Sequence, residues 1–101
     1  MADTNDVNID RGSKIVAKEG VILREEADKW GLLYDPEKDF NFVINPVSVF
    51  IWKRLNGNFT VDEIVDGVKK NFESVTAEVE ADVIEFIDAL VKSKMGIIVT
   101  S

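Results

Sequence analysis

Cysteine and histidine are both absent from the 101 residues of this chain. Without cysteine there are no thiol nucleophiles, no thiolate metal ligands and no disulfide bonds. Without histidine the chain lacks the usual proton carrier near neutral pH and the commonest metal ligand. A carboxylate-only site for Mg²⁺ or for glycoside hydrolysis stays open in principle, but no pair of acids stands among residues that predict a cleft. We therefore expect no catalytic residues, no metal and no cofactor.

Long apolar runs and an excess of basic residues are also missing. No apolar run approaches the roughly 20 residues that cross a bilayer, and the polar, acidic N-terminus does not resemble a secretory signal. Lys and Arg number 12 against 19 Asp and Glu, which gives a net charge of −7 and a pI near 4.5. Such a chain repels phosphate backbones and anionic membrane surfaces. The composition predicts a cytoplasmic protein that binds neither nucleic acid nor membrane.

The length suits one domain, with 46% hydrophobic and 31% charged residues. Residues Met1–Ser13 are mostly Asp, Asn, Ser and Gly, and we expect a flexible acidic arm there. The folded domain is then predicted over residues 14–101.

The first half of the domain is typical of strands and turns. Apolar runs at Val21–Arg24, Trp30–Tyr34 and Phe40–Ile44 are separated by short polar turns, which indicates an antiparallel meander. Ile15 and Val16 are a further candidate start of the strand region. Near the other end of the chain, Ile97–Val99 suits an extra edge strand.

The second half predicts three helices. Asn45 and Pro46 are a preferred N-cap and first helical residue, and Asn56-Gly57-Asn58 is expected to end the first helix. Thr60 and Glu63 form a capping box for the second helix, which is predicted to run to about Phe72. The third is predicted from near Thr76 to about Lys94. The expected fold is α+β and winged-helix-like, with a three-stranded antiparallel sheet followed by three helices.

The third helix carries more apolar surface than a core contact requires. Val79, Val83, Phe86 and Leu90 form one stripe, and Ile84, Ile87 and Val91 widen it to roughly 160–180°, against the roughly 100° of a core-facing helix. Either the helix is deeply buried, or one flank lines a groove. The sequence alone leaves both interpretations open.

Several short motifs follow one another along the chain from about Lys14 to Val99. They are Gly20-Val21-Ile22-Leu23-Arg24, then Trp30 and Leu33, Phe42-Val43-Ile44-Asn45, Ile51-Trp52-Lys53-Arg54-Leu55-Asn56-Gly57, Thr60-Val61-Asp62-Glu63-Ile64-Val65, the helical positions Val79, Asp82, Val83, Phe86, Ile87 and Leu90, and Met95-Gly96-Ile97-Ile98. Taken in this order, the motifs resemble the PqqD-like family, and the wider strand–helix order resembles winged-helix domains. The polar Asp39-Phe40-Asn41 stretch and the acidic arm depart from the family pattern.

The resemblance implies a non-catalytic peptide chaperone, also called a RiPP recognition element. Members bind the leader of a ribosomally made precursor peptide, including that of pyrroloquinoline quinone, and present it to a modifying enzyme, often a radical S-adenosylmethionine (SAM) enzyme. The peptide adds as a strand between the third strand and the third helix. The peptide-binding residues implied are Phe42, Val43, Ile44, Asp82, Val83, Phe86, Ile87 and Leu90. Each could instead belong to the core, and Asp82 could be a solvated charge.

Two other classes of function remain as alternatives. A winged-helix DNA-binding or transcription factor shares the fold, but its recognition helix needs exposed Arg and Lys. The third helix instead carries Glu78, Glu80, Asp82, Glu85 and Asp88. A generic protein–protein adaptor without a peptide substrate is the other alternative.

Overall fold

The computed structural model describes residues 9–72 and 78–99. In chain order the elements are β1 (Lys14–Ala17), β2 (Ile22–Glu25), a 3-10 turn (Ala27–Lys29), β3 (Gly31–Asp35), β4 (Phe40–Ile44), α1 (Pro46–Lys53), β5 (Asn56–Thr60), α2 (Val61–Asn71), α3 (Val79–Lys92) and β6 (Gly96–Val99). The α+β class is confirmed. The predicted start of the third helix near Thr76 lies outside the described residues.

The predicted meander forms one antiparallel sheet of strand order β2-β3-β4. Leu23 pairs with Leu33, which in turn pairs with Phe42. Side chains alternate across a strand, so these three share the face that packs toward the helices, where Leu33 is fully buried. The outer face carries Ile22 and Val43, which are 54% and 64% exposed.

A second antiparallel sheet, of order β5-β1-β6, was not predicted. β1 lies at its centre and pairs with both β5 and β6, rather than extending the meander. The predicted edge strand at Ile97–Val99 is confirmed as part of β6.

The expectation that Asn56-Gly57-Asn58 ends the first helix is wrong, because α1 ends at Lys53 and these residues begin β5. Gly57 has φ +84°, and a Cβ there would lie 3.0 Å from Cγ2 of Val16. Glycine at position 57 therefore permits a left-handed backbone conformation where β5 passes close to β1.

The predicted helix starts are confirmed where the structure describes them. Oδ1 of Asn45 accepts a hydrogen bond of 2.8 Å from the backbone N–H of Ser48, with Pro46 at the first helical position. Thr60 and Glu63 form the reciprocal capping box of α2. The predicted end of the second helix near Phe72 also holds, since α2 ends at Asn71 with Phe72 as its C-cap.

The core lies between the three helices and the inner faces of the two sheets. Its largest fully buried side chains come from both sheets and all three helices, and they include Ile15, Leu33, Ile51, Ile64 and Ile87. Burying each is worth about 1.5–3 kcal/mol relative to exposure. The core thus fixes α3 against both sheets.

The predicted arm needs a correction over residues 9–13. Ile9 is only 8% exposed and belongs to the core cluster. Nε of Arg11 lies 2.6 Å from a carboxylate oxygen of Asp62, and the same guanidinium pairs with Glu80. The carbonyl of Ser13 accepts a hydrogen bond of 2.9 Å from the N–H of Val61. An isolated apolar residue among polar ones gave no periodic signal, so the boundary of the packed chain moves to Ile9. Residues 1–8 lie outside the described part.

Candidate functional site

An apolar groove of about 630 Å³ lies between β4 and α3. β4 is hydrogen-bonded to β3 on one side, and the strands that the structure describes leave its other edge open. Of the strands in this sheet, only β4 contributes residues to the groove lining. The lining residues come from β4, the turn before it, α3 and the segment after α3; they are Lys38, Phe40, Phe42, Phe86, Ala89, Leu90, Ser93 and Met95.

Local sequence patterns place the two walls. Phe40 and Phe42 are two positions apart in β4 and so share one face, with ring centroids 5.6 Å apart. On α3, Phe86, Ala89 and Leu90 have the i, i+3, i+4 spacing of one helix face. Phe40 is 52% exposed, so this wall presents an aromatic surface that nothing in the described chain covers.

A hydrogen bond closes one end of the groove. Nζ of Lys38 donates to the carbonyl oxygen of Ser93 at 2.9 Å, where the carbonyl-rich C-terminal end of α3 attracts cations. Asp82 and Glu85 are exposed in the N-terminal half of α3. Lys38 is therefore a basic residue within the groove lining, whereas the acids Asp82 and Glu85 lie on α3 beyond that lining.

The structure brings together some of the sequence-predicted site residues and separates others. Phe42, Phe86 and Leu90 line the groove. Ile44, Val83 and Ile87 are buried in the core, at 5%, 1% and 0% exposure. Val43 lies on the outer face of β4, and Asp82 is exposed on α3 beyond the groove lining.

The lining residues that sequence reasoning did not select are Lys38, Phe40, Ala89, Ser93 and Met95. For two of them, the spacing in the sequence could have placed the side chain in the groove. Phe40 alternates with Phe42 in the same strand, and Ala89 lies one helical turn after Phe86. Lys38, Ser93 and Met95 lie in turns, where no periodic pattern exists to orient a side chain.

A largely buried ion pair lies close to the groove, because Asp35 is the strand partner of Phe40. Asp35, at the end of β3, is 1% exposed. Burial alone would raise its pKa, but hydrogen bonds from Lys18 Nζ and the Glu37 N–H, with the charges of Lys18 and Lys38, hold the pKa below its ordinary value. Glu37 and Asp35 in turn raise the pKa of Lys18. This pair lies outside the groove lining, so we assign it to stability.

Residues 9–72 and 78–99 hold no group of three acids that could bind a metal ion. Within the same residues, no helix combines the length and apolarity that crossing a bilayer requires.

The fold and the groove together define a small α+β domain of the winged-helix type with an open strand edge beside a helix. The chain belongs to the PqqD family, because the family model for coenzyme PQQ synthesis protein D matches residues 31–95. The matched segment includes β3, β4, all three helices and every residue that lines the groove. The predicted resemblance is thus confirmed.

A solved structure, TbiB1 in complex with the TbiA(beta) leader peptide, is similar in fold. The TM-score is 0.65 at 22% sequence identity, over 79% of this chain and 92% of that chain. A comparison with curated proteins found no match.

Proposed function

We propose that this protein binds an extended segment of a precursor peptide as an added strand along the open edge of β4. The observation that carries the proposal is the unpaired β4 edge beside an apolar groove, formed by Phe40 and Phe42 on one side and Phe86 and Leu90 on the other. Backbone hydrogen bonds would supply affinity, and the groove would select side chains. The similarity in fold to TbiB1, solved with a leader peptide, supports a peptide as the ligand.

Apolar anchors must supply most of the net affinity. Each backbone hydrogen bond contributes about 0.5–1.5 kcal/mol, whereas ordering a flexible peptide costs about 2–5 kcal/mol. A Leu- or Phe-sized side chain buried against the groove adds about 1.5–3 kcal/mol. One or two such anchors are enough for micromolar binding.

Charged residues in and beside the groove favour a polarised peptide. An acidic side chain suits Lys38, and a Lys or Arg suits the exposed Asp82 and Glu85 on α3. Both contacts are exposed, so they contribute orientation more than affinity.

The wider role follows from membership of the PqqD family. We propose that the protein is a non-catalytic, cytoplasmic peptide chaperone, which presents the rest of the bound precursor to a modifying enzyme. A radical SAM enzyme is the proposed partner. A DNA-binding role is disfavoured because α3 exposes the acids Asp82 and Glu85, which would repel phosphates.

An NMR titration tests the proposal directly. The ¹⁵N-labelled protein would be titrated with synthetic leader segments of candidate precursor peptides. We expect saturable shifts at the amides of Phe40–Ile44 and at Phe86, Ala89 and Leu90, with a micromolar Kd. A scrambled peptide of the same composition is the control. Shifts confined to other surfaces, or equal binding of the scrambled peptide, would overturn strand addition at β4.

A further inference from the structure

A second depression, of about 440 Å³, lies among the 3-10 turn and the C-terminal ends of α1 and α2. We call it the basic pocket, because Lys29, Lys53 and Arg54 line it with one carboxylate, Glu25. It has no lining residue in common with the groove. The basic pocket is a local excess of positive charge in a chain of net charge −7, and strand addition at β4 does not use it.

An uncommon backbone conformation holds Lys29 at this pocket. Lys29 has φ 68° and the preceding Asp28 has φ 63°, both in the left-handed region that residues other than glycine seldom adopt. A hydrogen bond of 2.7 Å from the N–H of Glu26 to the carbonyl of Trp30 spans the turn. Strained residues of this kind cluster at binding sites, where their position is useful. The position of Lys29 is not explained as a basic residue in the last turn of a helix, because Lys29 lies outside α1 and α2.

Contacts with Phe50 orient the guanidinium of Arg54 and leave most of its N–H donors free. Its Cζ lies 3.5 Å from the ring centroid of Phe50, and one Nη donates to the carbonyl oxygen of Phe50 at 3.2 Å. A guanidinium has five N–H donors, so most remain for an acceptor. Lys53 is paired with Glu25 at 2.7 Å. Among the described residues, Lys29 and Arg54 form no ion pair.

The surroundings select the kind of anion. α1 and α2 both end at the pocket, and helix C-termini carry partial negative charge. Pro46, at the start of α1, also lines the pocket but has no N–H to donate to an anion. That charge disfavours a compact phosphate dianion, which binds at helix N-termini instead. Carboxylates that carry one charge each and are spaced along a chain fit better. Phe50 and Phe72, whose rings meet edge to face at 5.5 Å, also line the pocket and are only partly buried.

We infer that the basic pocket binds an acidic, aromatic-containing segment of a protein partner, independently of the peptide in the groove. Carboxylates of the segment pair with Lys29 and Arg54, and an apolar side chain packs on Phe50 and Phe72. Charge complementarity identifies this occupant, because the pocket is basic while the chain as a whole is acidic. Two surfaces without shared residues allow the domain to hold a peptide and a second protein at once.

The test is a titration of the ¹⁵N-labelled protein with the peptide acetyl-Glu-Phe-Glu-Phe-Glu-amide. We expect shifts at Lys29, Arg54 and Phe72, and affinity that falls at least about fivefold between about 0.05 M and 0.5 M ionic strength. The Gln analogue of the peptide should bind at least about tenfold more weakly. Arg54→Ala and the exposed Lys29→Ala should each weaken binding at least about fivefold. Lys69→Ala, which removes a cation outside the pocket, should not.

Several outcomes would overturn the inference. They are equal binding of the Gln analogue, shifts away from the pocket, tighter binding of inorganic phosphate than of the acidic peptide, and unchanged affinity of Lys29→Ala. The Lys29→Ala variant keeps the test decisive if Arg54→Ala loses its fold. Leader binding at the groove is measured separately in the same variants and should be unchanged, so failure of this inference is distinct from failure of strand addition.

Discussion

Nζ of Lys18 lies 3.1 Å from Oδ2 of Asp35, and this ion pair joins the two sheets. Lys18 directly follows β1 of one sheet, and Asp35 ends β3 of the other. The carboxylate is 1% exposed, whereas the lysine side chain is 19% exposed and also contacts Glu37 at 2.6 Å. Removing either charge would leave the remaining charge partly buried without its main partner of opposite sign, which would destabilise the fold.

The first prediction is a loss of stability at low pH that depends on Asp35. Its pKa in the folded protein lies below the ordinary 3.8. The contribution to the free energy of unfolding is therefore present above pH 3.8 and is lost as the pH falls through the folded-state pKa. Asp35→Asn should lower the urea midpoint at neutral pH and flatten its decline in acid. Urea unfolding between neutral and acid pH, with the exposed Asp66→Asn as control, measures this; an unchanged acid slope would contradict it.

The second prediction concerns the groove. Ala89 is exposed and lines it, so Ala89→Glu places a carboxylate in the groove without disturbing the core. Leader-peptide binding should weaken at least about tenfold, or about 1.4 kcal/mol. Isothermal calorimetry measures the change. Ala81→Glu makes the same substitution on α3 outside the groove lining and should bind nearly as the parent does. Equal losses in both variants would point to overall charge rather than to the groove.

The third prediction concerns Ile87 and Val43, two sequence-predicted site residues that lie outside the groove lining. Ile87 is fully buried, so Ile87→Ala should lower the free energy of unfolding by about 2–5 kcal/mol. Val43 is 64% exposed, and Val43→Ala should change that free energy by at most about 0.5 kcal/mol. Urea denaturation measures both. A small effect at Ile87 would mean that its side chain is not in the core.

Sequence patterns predicted the meander and the helices, because alternation, turn residues and caps are local signals. They also predicted that an edge strand and α3 form a groove, through the family resemblance. They could not choose between Phe86 and Ile87, because both lie within one wide apolar sector, and only packing shows which one the core buries. The partners of β1 could not be predicted, because β5 and β6 are distant from it in the chain. Asn56-Gly57-Asn58 favours a turn locally, and tertiary pairing made it a strand.

The fourth prediction tests the packed N-terminal segment. Ile9 is 8% exposed, so Ile9→Ala should reduce the free energy of unfolding by about 2 kcal/mol. Ile97 is 56% exposed, and the same substitution there should cost at most about 0.5 kcal/mol. The comparison is made by thermal and urea unfolding. If Ile9→Ala costs no more than Ile97→Ala, the segment from Ile9 contributes nothing to the folded state.

The sheet β5-β1-β6 has a consequence for the order of folding. Lys14 pairs with both Thr60 and Val99, so the central strand remains without either partner until distant parts of the chain have arrived. The β2-β3-β4 meander, by contrast, closes through short turns. Non-local pairing slows folding because loop-closure entropy is lost before contacts form. During synthesis on the ribosome, β4 with its open edge can therefore form early, while β1 waits for β6 to emerge.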